Sequence, residues 1–338
     1  MRQLRAAIIG LGPASEPHAK SLIELRDSIQ VVAAVSRSAA RVAAFTRRFD
    51  LPGSTDIDGV IANPDIDFVL VLTPPNAHLD VAERCLKAGK HVLVEKPLEL
   101  SVARGEKLVA AARAAGRLLG VVLQHHFRPG AVRLREIIGA GALGPIVHTS
   151  MSVPWWRPQG YYDEPGRGTY ARDGGGVLLT QAIHTLDLFH SLVDVHAVEA
   201  AQVSTSALHR MESEDTATAL LRLHNGAPAF IHATTAAFPG GPERIDVLGT
   251  KGCAALVGGA LAVSWLDGTC ESVAAEGGTG SGANIMDFPN DAHRALIADF
   301  ADAVRHGRPP RVTGEAALTS QKLIDDILRR GGARITGG

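Results

Sequence analysis

The sequence predicts an α/β protein in which a doubly wound parallel sheet precedes an α+β domain with a large, mostly antiparallel sheet. Near-continuous apolar runs alternate with helical stretches over the first ~120 residues, as in parallel sheets covered on both faces. After about residue 124 the pattern changes to alternating strands and a hairpin. A chain of 338 residues also suits two domains. We therefore expect domains over residues 1–123 and 124–338.

The elements of the first domain are bounded by clear sequence signals. Strands are predicted at 4–9, 29–35, 68–72, 91–94 and 118–123, with helices ending near 26, at 39–49 and at 76–88. Ser101 is the expected cap of a helix that continues to Ala115, and Gly116 ends it.

In the second domain a helix over 131–139 leads into strands. Residues 216–224 and 227–237 predict a hairpin, and Asn225-Gly226 favours a type I′ turn between them. Further strands are predicted at 244–248, 253–257 and 261–265, a mobile glycine-rich loop at 277–283, and closing helices at 290–305 and 315–330.

Composition excludes several classes of protein. The formal net charge of -1 provides no strong field for nucleic acid or an anionic membrane. Three widely spaced cysteines indicate neither a disulfide framework nor a zinc site and fit a reducing compartment. The first apolar run is too short for a signal peptide, and no run approaches the ~20 residues of a membrane span. We expect a cytoplasmic protein with no membrane or nucleic-acid partner.

A glycine-rich turn joins the first strand to the first helix, and its predicted cofactor contacts are Gly10, Gly12, Pro13, Ala14 and Ser15. The first glycine permits the tight turn, and the second lets the backbone approach a pyrophosphate at the helix N-terminus. Ser15 stands where a third glycine is usual, so the match to the Rossmann fingerprint is partial. In this strand–turn–helix context it predicts a dinucleotide site, whereas a plain turn is the alternative.

Ser36, Arg37 and Ser38 follow the second strand, where NAD-binding folds usually have a carboxylate for the ribose 2′-hydroxyl. An arginine with two hydroxyls would instead receive a 2′-phosphate. The sequence therefore predicts NADP in preference to NAD. The alternative is that Arg37 is a solvated loop residue and both cofactors bind.

Several further motifs together carry a family resemblance over nearly the whole chain. They are His18-Ala19 after the glycine turn, Thr73-Pro74-Pro75-Asn76-Ala77-His78, Glu95-Lys96-Pro97, Gly174-Gly175-Gly176 leading to His184 and Asp187, Glu214-Asp215-Thr216, and Gly307-Arg308-Pro309-Pro310. With these motifs the sequence resembles the Gfo/Idh/MocA family of oxidoreductases. The segment around Trp155 to Tyr162 is similar to members that act on sugars, sugar acids or cyclic diols.

The resemblance implies the remaining site residues. Lys96 would lie beside the nicotinamide and His184 at the substrate carbinol, and Trp156, Arg157, Tyr161 and Tyr162 would contact a polyol or sugar-like substrate. The residues implied to line the cofactor cleft are Thr73, Pro74, Asn76, His78, Glu95 and Gln124. The resemblance also implies an open-faced second sheet through which members pair, hence a homodimer or homotetramer.

His184 falls in a predicted helix over 177–192, on a face with Thr180, Gln181 and Asp187, opposite an apolar stripe. On the residues alone such a face is more often solvated. Thr180 departs from the family, in which many members have an acidic residue that works with the histidine. The adjacent His125 and His126 would point in opposite directions on a strand, so we expect no metal site. His293 is a further candidate to reach the cleft.

The resulting hypothesis is the reversible oxidation of a secondary alcohol. His184 would remove the hydroxyl proton, Lys96 would stabilise the developing alkoxide, and hydride would pass to the nicotinamide. Two alternatives remain: a dihydrodiol dehydrogenase that forms an aromatic catechol, and a non-catalytic regulator of the same fold that senses a nucleotide or sugar.

Overall fold

The computed structural model describes residues 2–275 and 289–333. Within them the chain divides into two compact units, the first formed by residues 2–124 with 290–319 and the second by 125–275 and 289 with 320–333. Residues 290–319, which the sequence prediction places in the second domain, cluster with the first unit. These residues return to the first unit because Phe300 packs on Phe68 and Arg294 forms an ion pair with Glu24.

The first unit contains a six-stranded parallel sheet. Its strands are β1 (Leu4–Ile9), β2 (Ile29–Val35), β3 (Gly53–Ser54), β4 (Phe68–Val71), β5 (His91–Val94) and β6 (Leu119–Val121), in the order β3-β2-β1-β4-β5-β6. All four residues of β4 are buried, as the continuous apolar run predicts for a strand that is covered on both faces.

Helices and turns flank the two sheets. In chain order the helices are α1 (Ser15–Glu24), α2 (Ala39–Phe49), α3 (Ile57–Ala62), α4 (His78–Lys87), α5 (Val102–Ala115), α6 (Pro129–Gly139), α7 (Gln159–Tyr162), α8 (Tyr170–Asp173), α9 (Val177–Thr180), α10 (Ile183–Val193), α11 (Asp291–His306) and α12 (Gly314–Arg330). Two 3₁₀ turns cover Pro75–Ala77 and Gln124–Phe127. Ser101 caps α5 by accepting from the amide of Arg104, and Gly116 ends the helix with φ +61°.

The second unit contains an eight-stranded sheet. Its strands are β7 (Ile146–Pro154), β8 (Val195–Ser204), β9 (Thr216–Leu223), β10 (Pro228–Thr234), β11 (Arg244–Gly249), β12 (Gly252–Val257), β13 (Ala260–Trp265) and β14 (Cys270–Val273), in the order β14-β13-β12-β11-β7-β10-β9-β8. Among these eight described strands, only β7 and β10 pair in parallel. The predicted fold class is confirmed.

The β9–β10 hairpin has a different turn from the predicted type I′, which requires positive φ at both central residues. Gly226 has φ +86°, but Asn225 is not among the residues with positive φ. The side chain of Asn225 accepts from the amide of Ala227 and donates to the carbonyl of Ile146, which holds the residue in another conformation. The amide of Gly226 bonds the carbonyl of Leu223, giving a three-residue loop with glycine at the left-handed position.

The predicted helix over 177–192 is broken in two. The amide of Ala182 bonds the carbonyl of Val177, five residues earlier, so the helix widens locally and α10 starts at Ile183. The polar face of this segment is buried rather than solvated: Gln181 is 5% exposed, His184 8% and Asp187 3%.

No helix in the described part of the chain is long and apolar enough to cross a membrane. The predicted glycine-rich loop at 277–283 lies outside the described residues.

Candidate active site

The glycine turn over residues 10–15 has the geometry of a dinucleotide cradle. Gly10 has φ +110°, and a Cβ there would lie 2.5 Å from the backbone carbonyl of Leu72, so only glycine fits. A Cβ on Gly12 would meet no described atom within 4 Å, which leaves open space against the backbone. The N-cap residue Ala14 gives α1 no side-chain cap, and the positive end of the helix dipole lies at the turn. These features fit a pyrophosphate.

Ser15, which replaces the usual third glycine, is buried and braces this turn. Its hydroxyl donates to the carbonyl of Gly12 at 2.7 Å, and its amide bonds the same carbonyl at 3.0 Å. The departure from the glycine fingerprint is therefore compatible with the turn. Pro13 lies between these partners, on the loop that leads into α1.

The end of β2 exposes two arginines. Ser36 accepts from the amide of Ser38, and Ser38 caps α2 by accepting from the amide of Arg41, so both hydroxyls help to shape the turn. Arg37 and Arg41 are exposed, and neither side chain bonds any described residue. Sequence reasoning missed Arg41, whose signal was its place four residues after Arg37 in the first turn of a helix.

Two polar side chains in the loops that follow β4 and β6 have buried atoms with no described partner. They are Oγ1 of Thr73 and Oε1 of Gln124. A buried oxygen without a hydrogen bond is costly, so such atoms are typical of a ligand or water position. Pro74 and Asn76 are exposed in the same loop as Thr73.

His78 is fully buried and links the loops that follow β4 and β5. Its Nε2 lies 2.9 Å from the carbonyl of Thr73 and its Nδ1 3.0 Å from the carbonyl of Pro97. Burial lowers the pKa of His78. Both ring nitrogens are occupied by backbone, so this residue shapes the loops.

Glu95 and Lys96 occupy the carboxyl end of β5, where open α/β sheets bind ligands. One carboxylate oxygen of Glu95 contacts His18 Nε2 at 2.9 Å, and the other accepts from the amide of Lys96 at 2.9 Å. The ring of His293 packs edge-on against His18, with 5.3 Å between centroids. His293 therefore reaches this cluster within the first unit.

In the second unit, the segment that carries His184 is fixed at its start by a buried carboxylate. Glu214 accepts from the amides of Gly176 and Leu178 at 3.0 and 3.2 Å, which caps α9. Burial raises the pKa of Glu214 to about 7. Gly176 is required here because its Cβ would lie 1.8 Å from the carbonyl oxygen of Glu214.

His184 lies in the first turn of α10 and packs against His125. Their rings are 5.1 Å apart and inclined by 32°. The strand does not continue through His125 and His126, because the chain forms the 3₁₀ turn Gln124–Phe127 there. Both histidines consequently reach α10.

Arg157 is a buried guanidinium among aromatic rings. It is 2% exposed, and its Cζ lies 5.2 Å from the ring of Trp155 and 5.8 Å from that of Tyr161. Burial lowers its pKa. Trp156 is partly exposed and packs edge-on against Phe238.

The two predicted tyrosines have different surroundings. Tyr162 is buried, and its hydroxyl bonds Thr235 at 2.7 Å, so it is a core residue. Tyr161 is partly exposed, and its hydroxyl oxygen accepts hydrogen bonds from Nη1 of Arg167 at 2.8 Å and from Nε2 of Gln181 at 3.3 Å. Sequence reasoning missed Arg167, which only its spacing of six residues from Tyr161 could have suggested.

Thr180 is turned toward its own backbone. Its hydroxyl donates to the carbonyl of Gly176 at 2.6 Å and also contacts the side-chain amide of Gln181. An acidic residue at this place would supply a carboxylate, and threonine supplies a neutral hydroxyl instead.

Comparisons with known proteins agree with this fold. Residues 4–123 match the model of an oxidoreductase family with an NAD-binding Rossmann fold, and residues 131–255 match the GFO/IDH/MocA C-terminal domain. The 1,5-anhydro-D-fructose reductase of Ensifer adhaerens is 30% identical over 86% of this chain and 85% of its own. The myo-inositol 2-dehydrogenase of Thermotoga maritima is 25% identical over 92% of this chain and 91% of its own.

A solved structure extends the likeness. The WlbA dehydrogenase from Bordetella pertussis, in complex with NADH and UDP-GlcNAcA, superposes with a TM-score of 0.83 at 27% identity, covering 98% of this chain and 97% of its own. Both family models point to the same family as the glycine turn and the Glu95-Lys96-Pro97 segment. The chain belongs to the Gfo/Idh/MocA family of NAD-binding oxidoreductases and acts as a dehydrogenase or reductase on CH–OH groups.

Proposed function

We propose that this protein is an NADP-preferring dehydrogenase or reductase for a secondary hydroxyl of a sugar, sugar acid or cyclic polyol. The position of Lys96 at the carboxyl end of β5, in the same sheet edge as the glycine turn, carries the proposal. In a parallel sheet the carboxyl ends of neighbouring strands are where a ligand meets several loops at once.

The cofactor preference rests on the end of β2. A 2′-phosphate carries negative charge that a guanidinium can bind through two parallel hydrogen bonds. Arg37 and Arg41 make no ion pair with a described carboxylate, so both are available to that phosphate. No acidic residue lies between Val35 and Arg41 to repel it.

The chemical roles follow from side-chain type. The nicotinamide would supply the hydride acceptor or donor. His184 would hold the hydroxyl proton, because an imidazole exchanges protons near neutral pH. Lys96 would donate a hydrogen bond to the reacting oxygen and stabilise negative charge on it. The neutral Thr180 leaves His184 as the proposed proton acceptor in the second unit.

The substrate class rests on the relatives and on the residues of the second unit. The named relatives act on 1,5-anhydro-D-fructose and myo-inositol, both polyhydroxylated rings. Tyr161 and Trp156 are partly exposed and combine an apolar ring with a polar group, which suits a sugar ring. Pairing of the chain into a homodimer or homotetramer belongs to the same proposal, and light scattering in solution would test it.

Fluorescence titration with NADPH and with NADH tests the cofactor half of the proposal. NADPH should bind more tightly than NADH, and Arg37→Ala should weaken NADPH by about tenfold, equivalent to about 1.4 kcal/mol, while leaving NADH unchanged. Arg47→Ala, a change of an exposed arginine in the last turn of α2, is the matched control. Equal losses for both cofactors in Arg37→Ala would overturn the preference.

Absorbance at the reduced nicotinamide band tests the catalytic half. Myo-inositol with NADP⁺ and 1,5-anhydro-D-fructose with NADPH are the first substrates of a polyol panel. Lys96→Ala should abolish turnover and leave NADPH binding largely intact. Undiminished turnover in that variant would refute the role of Lys96, and binding without turnover of any polyol would favour a sensing regulator.

A further inference from the structure

Asp187 is a buried carboxylate in α10, three residues after His184. Its Oδ2 lies 2.5 Å from Nε2 of His126, and its Oδ1 accepts from the hydroxyl of Ser320 at 2.5 Å. A buried carboxylate is costly unless hydrogen bonds replace its water, and these two donors serve each oxygen separately. Asp187 is therefore a fixed point on the helix.

The tautomer of His126 follows from its second partner. Nη2 of Arg135 lies 2.8 Å from Nδ1 of His126, and a guanidinium only donates. Nδ1 must accept, so the ring proton is on Nε2 and points at Asp187. Arg135 also donates to the hydroxyl of Ser191 in α10, at 3.1 Å. The hydrogen bond from His126 to Asp187 thus has one defined direction.

These contacts involve the residues at which the chain enters the second unit and later returns to it. His126 is the second residue of the second unit, and Ser320 is the first residue after the chain returns to that unit. The residue before His126, His125, packs against the ring of His184 and has its Nδ1 3.5 Å from the hydroxyl of Thr185. Two consecutive histidines thus hold the first two turns of α10.

The break between α9 and α10 makes such anchoring necessary. The backbone of a continuous helix would fix His184 from the preceding turn, but the irregular bond at Ala182 interrupts that continuity. The orientation of His184 then depends on what holds α10 from the side. Reacting groups displaced by about 1 Å can lose about 100-fold in rate.

We propose that His126 is a positioning residue for the reaction, holding α10 and its His184 in register through the hydrogen bond to Asp187. This inference rests on the proposed role of His184. In this proposal His126 contacts neither substrate nor cofactor and acts only through Asp187.

Two substitutions of His126 distinguish the loss of its hydrogen bond from the loss of its ring. His126→Leu removes the donor, whereas His126→Gln retains an amide N–H that reaches Asp187. Ser320→Ala removes the other donor and leaves the imidazole. His232→Leu is the matched control, because His232 is a half-buried histidine of the second unit whose ring lies 3.1 Å from the hydroxyl of Thr218 on the neighbouring strand.

We expect His126→Leu to lower kcat by about 10- to 100-fold with the dissociation constant of NADPH unchanged, and His126→Gln to restore most of the rate. Ser320→Ala should give a smaller loss of kcat, and His232→Leu none. Wild-type kcat in His126→Leu would overturn the proposal, as would equal losses in the leucine and glutamine variants. Should His126→Leu fail to fold, wild-type kcat in Ser320→Ala would overturn it.

A readout without turnover separates this inference from the proposed function. The ring ¹³C–¹H signal of His184 in histidine-labelled protein can be assigned by its loss in His184→Gln. It should move in His126→Leu and return to its wild-type position in His126→Gln. An unmoved signal in His126→Leu would overturn the positioning role, even if the wild-type protein oxidised no polyol.

Discussion

Nε2 of His18 in α1 lies 2.9 Å from a carboxylate oxygen of Glu95, which follows β5. The contact connects α1, which begins at the glycine turn, to Glu95, the residue before Lys96. Burial opposes the charge of Glu95, but the hydrogen bond from His18 and the nearby charges of His18, Lys96 and His293 outweigh it and lower its pKa. The pair therefore joins the two predicted cofactor-binding loops.

Removing the imidazole of His18 should weaken the protein. His18→Leu leaves an oxygen of Glu95 without its donor, and a buried unsatisfied group costs about 1–3 kcal/mol. Urea unfolding should show a free energy of unfolding reduced by that amount, and His18→Gln should recover part of it through its amide N–H. Identical unfolding free energies for the wild type and His18→Leu would contradict the prediction.

The two glycines of the turn should respond in opposite ways to an added methyl group. Gly12→Ala meets no described atom within 4 Å, so the melting temperature should stay near wild type while NADPH binding weakens. Gly10→Ala combines positive φ with a contact at 2.5 Å and should destabilise the fold itself. Differential scanning fluorimetry and cofactor titration check both, and unimpaired NADPH binding by Gly12→Ala would argue against a pyrophosphate there.

The first unit was largely predictable because its signals are local. The apolar runs of β2 and β5 and the caps at Ser38 and Ser101 each depend on a few neighbouring residues. The return of residues 290–319 to this unit has no local signal, since an amphipathic helix does not specify which core it covers.

The second unit was less predictable because its shape depends on contacts between residues that are far apart in the sequence. The turn at Asn225 depends on a hydrogen bond to Ile146, 79 residues away, and the break at Ala182 lies in a segment whose periodicity reads as one helix. The contact of His126 with Asp187 spans 61 residues. The family resemblance suggested Lys96 and His184 as candidates, but only the fold shows which side chains surround each.

Cys85 should be an inert thiol. Burial raises its pKa to about 12, and the thiolate is the reactive form. In the native protein at pH 8, Cys85→Ala should therefore react with Ellman's reagent to the same extent as the wild type. In denaturant the wild type should release one more equivalent of thiol than the variant. A native difference of one equivalent would show that Cys85 is accessible.

Glu214 should make stability depend on pH. Its pKa is about 7 in the folded protein against 4.5 for a free glutamate, so between these values the folded state binds more protons than the unfolded state. The free energy of unfolding should then fall as the pH rises from 4.5 to 7, by at most about 3 kcal/mol from this group. Glu214→Gln should remove that component, and Glu212→Gln, at an exposed neighbour that accepts from the amide of Tyr170, should keep it. Urea unfolding at pH 5 and pH 7.5 measures the difference, and an equal pH dependence in wild type and Glu214→Gln would contradict the assignment.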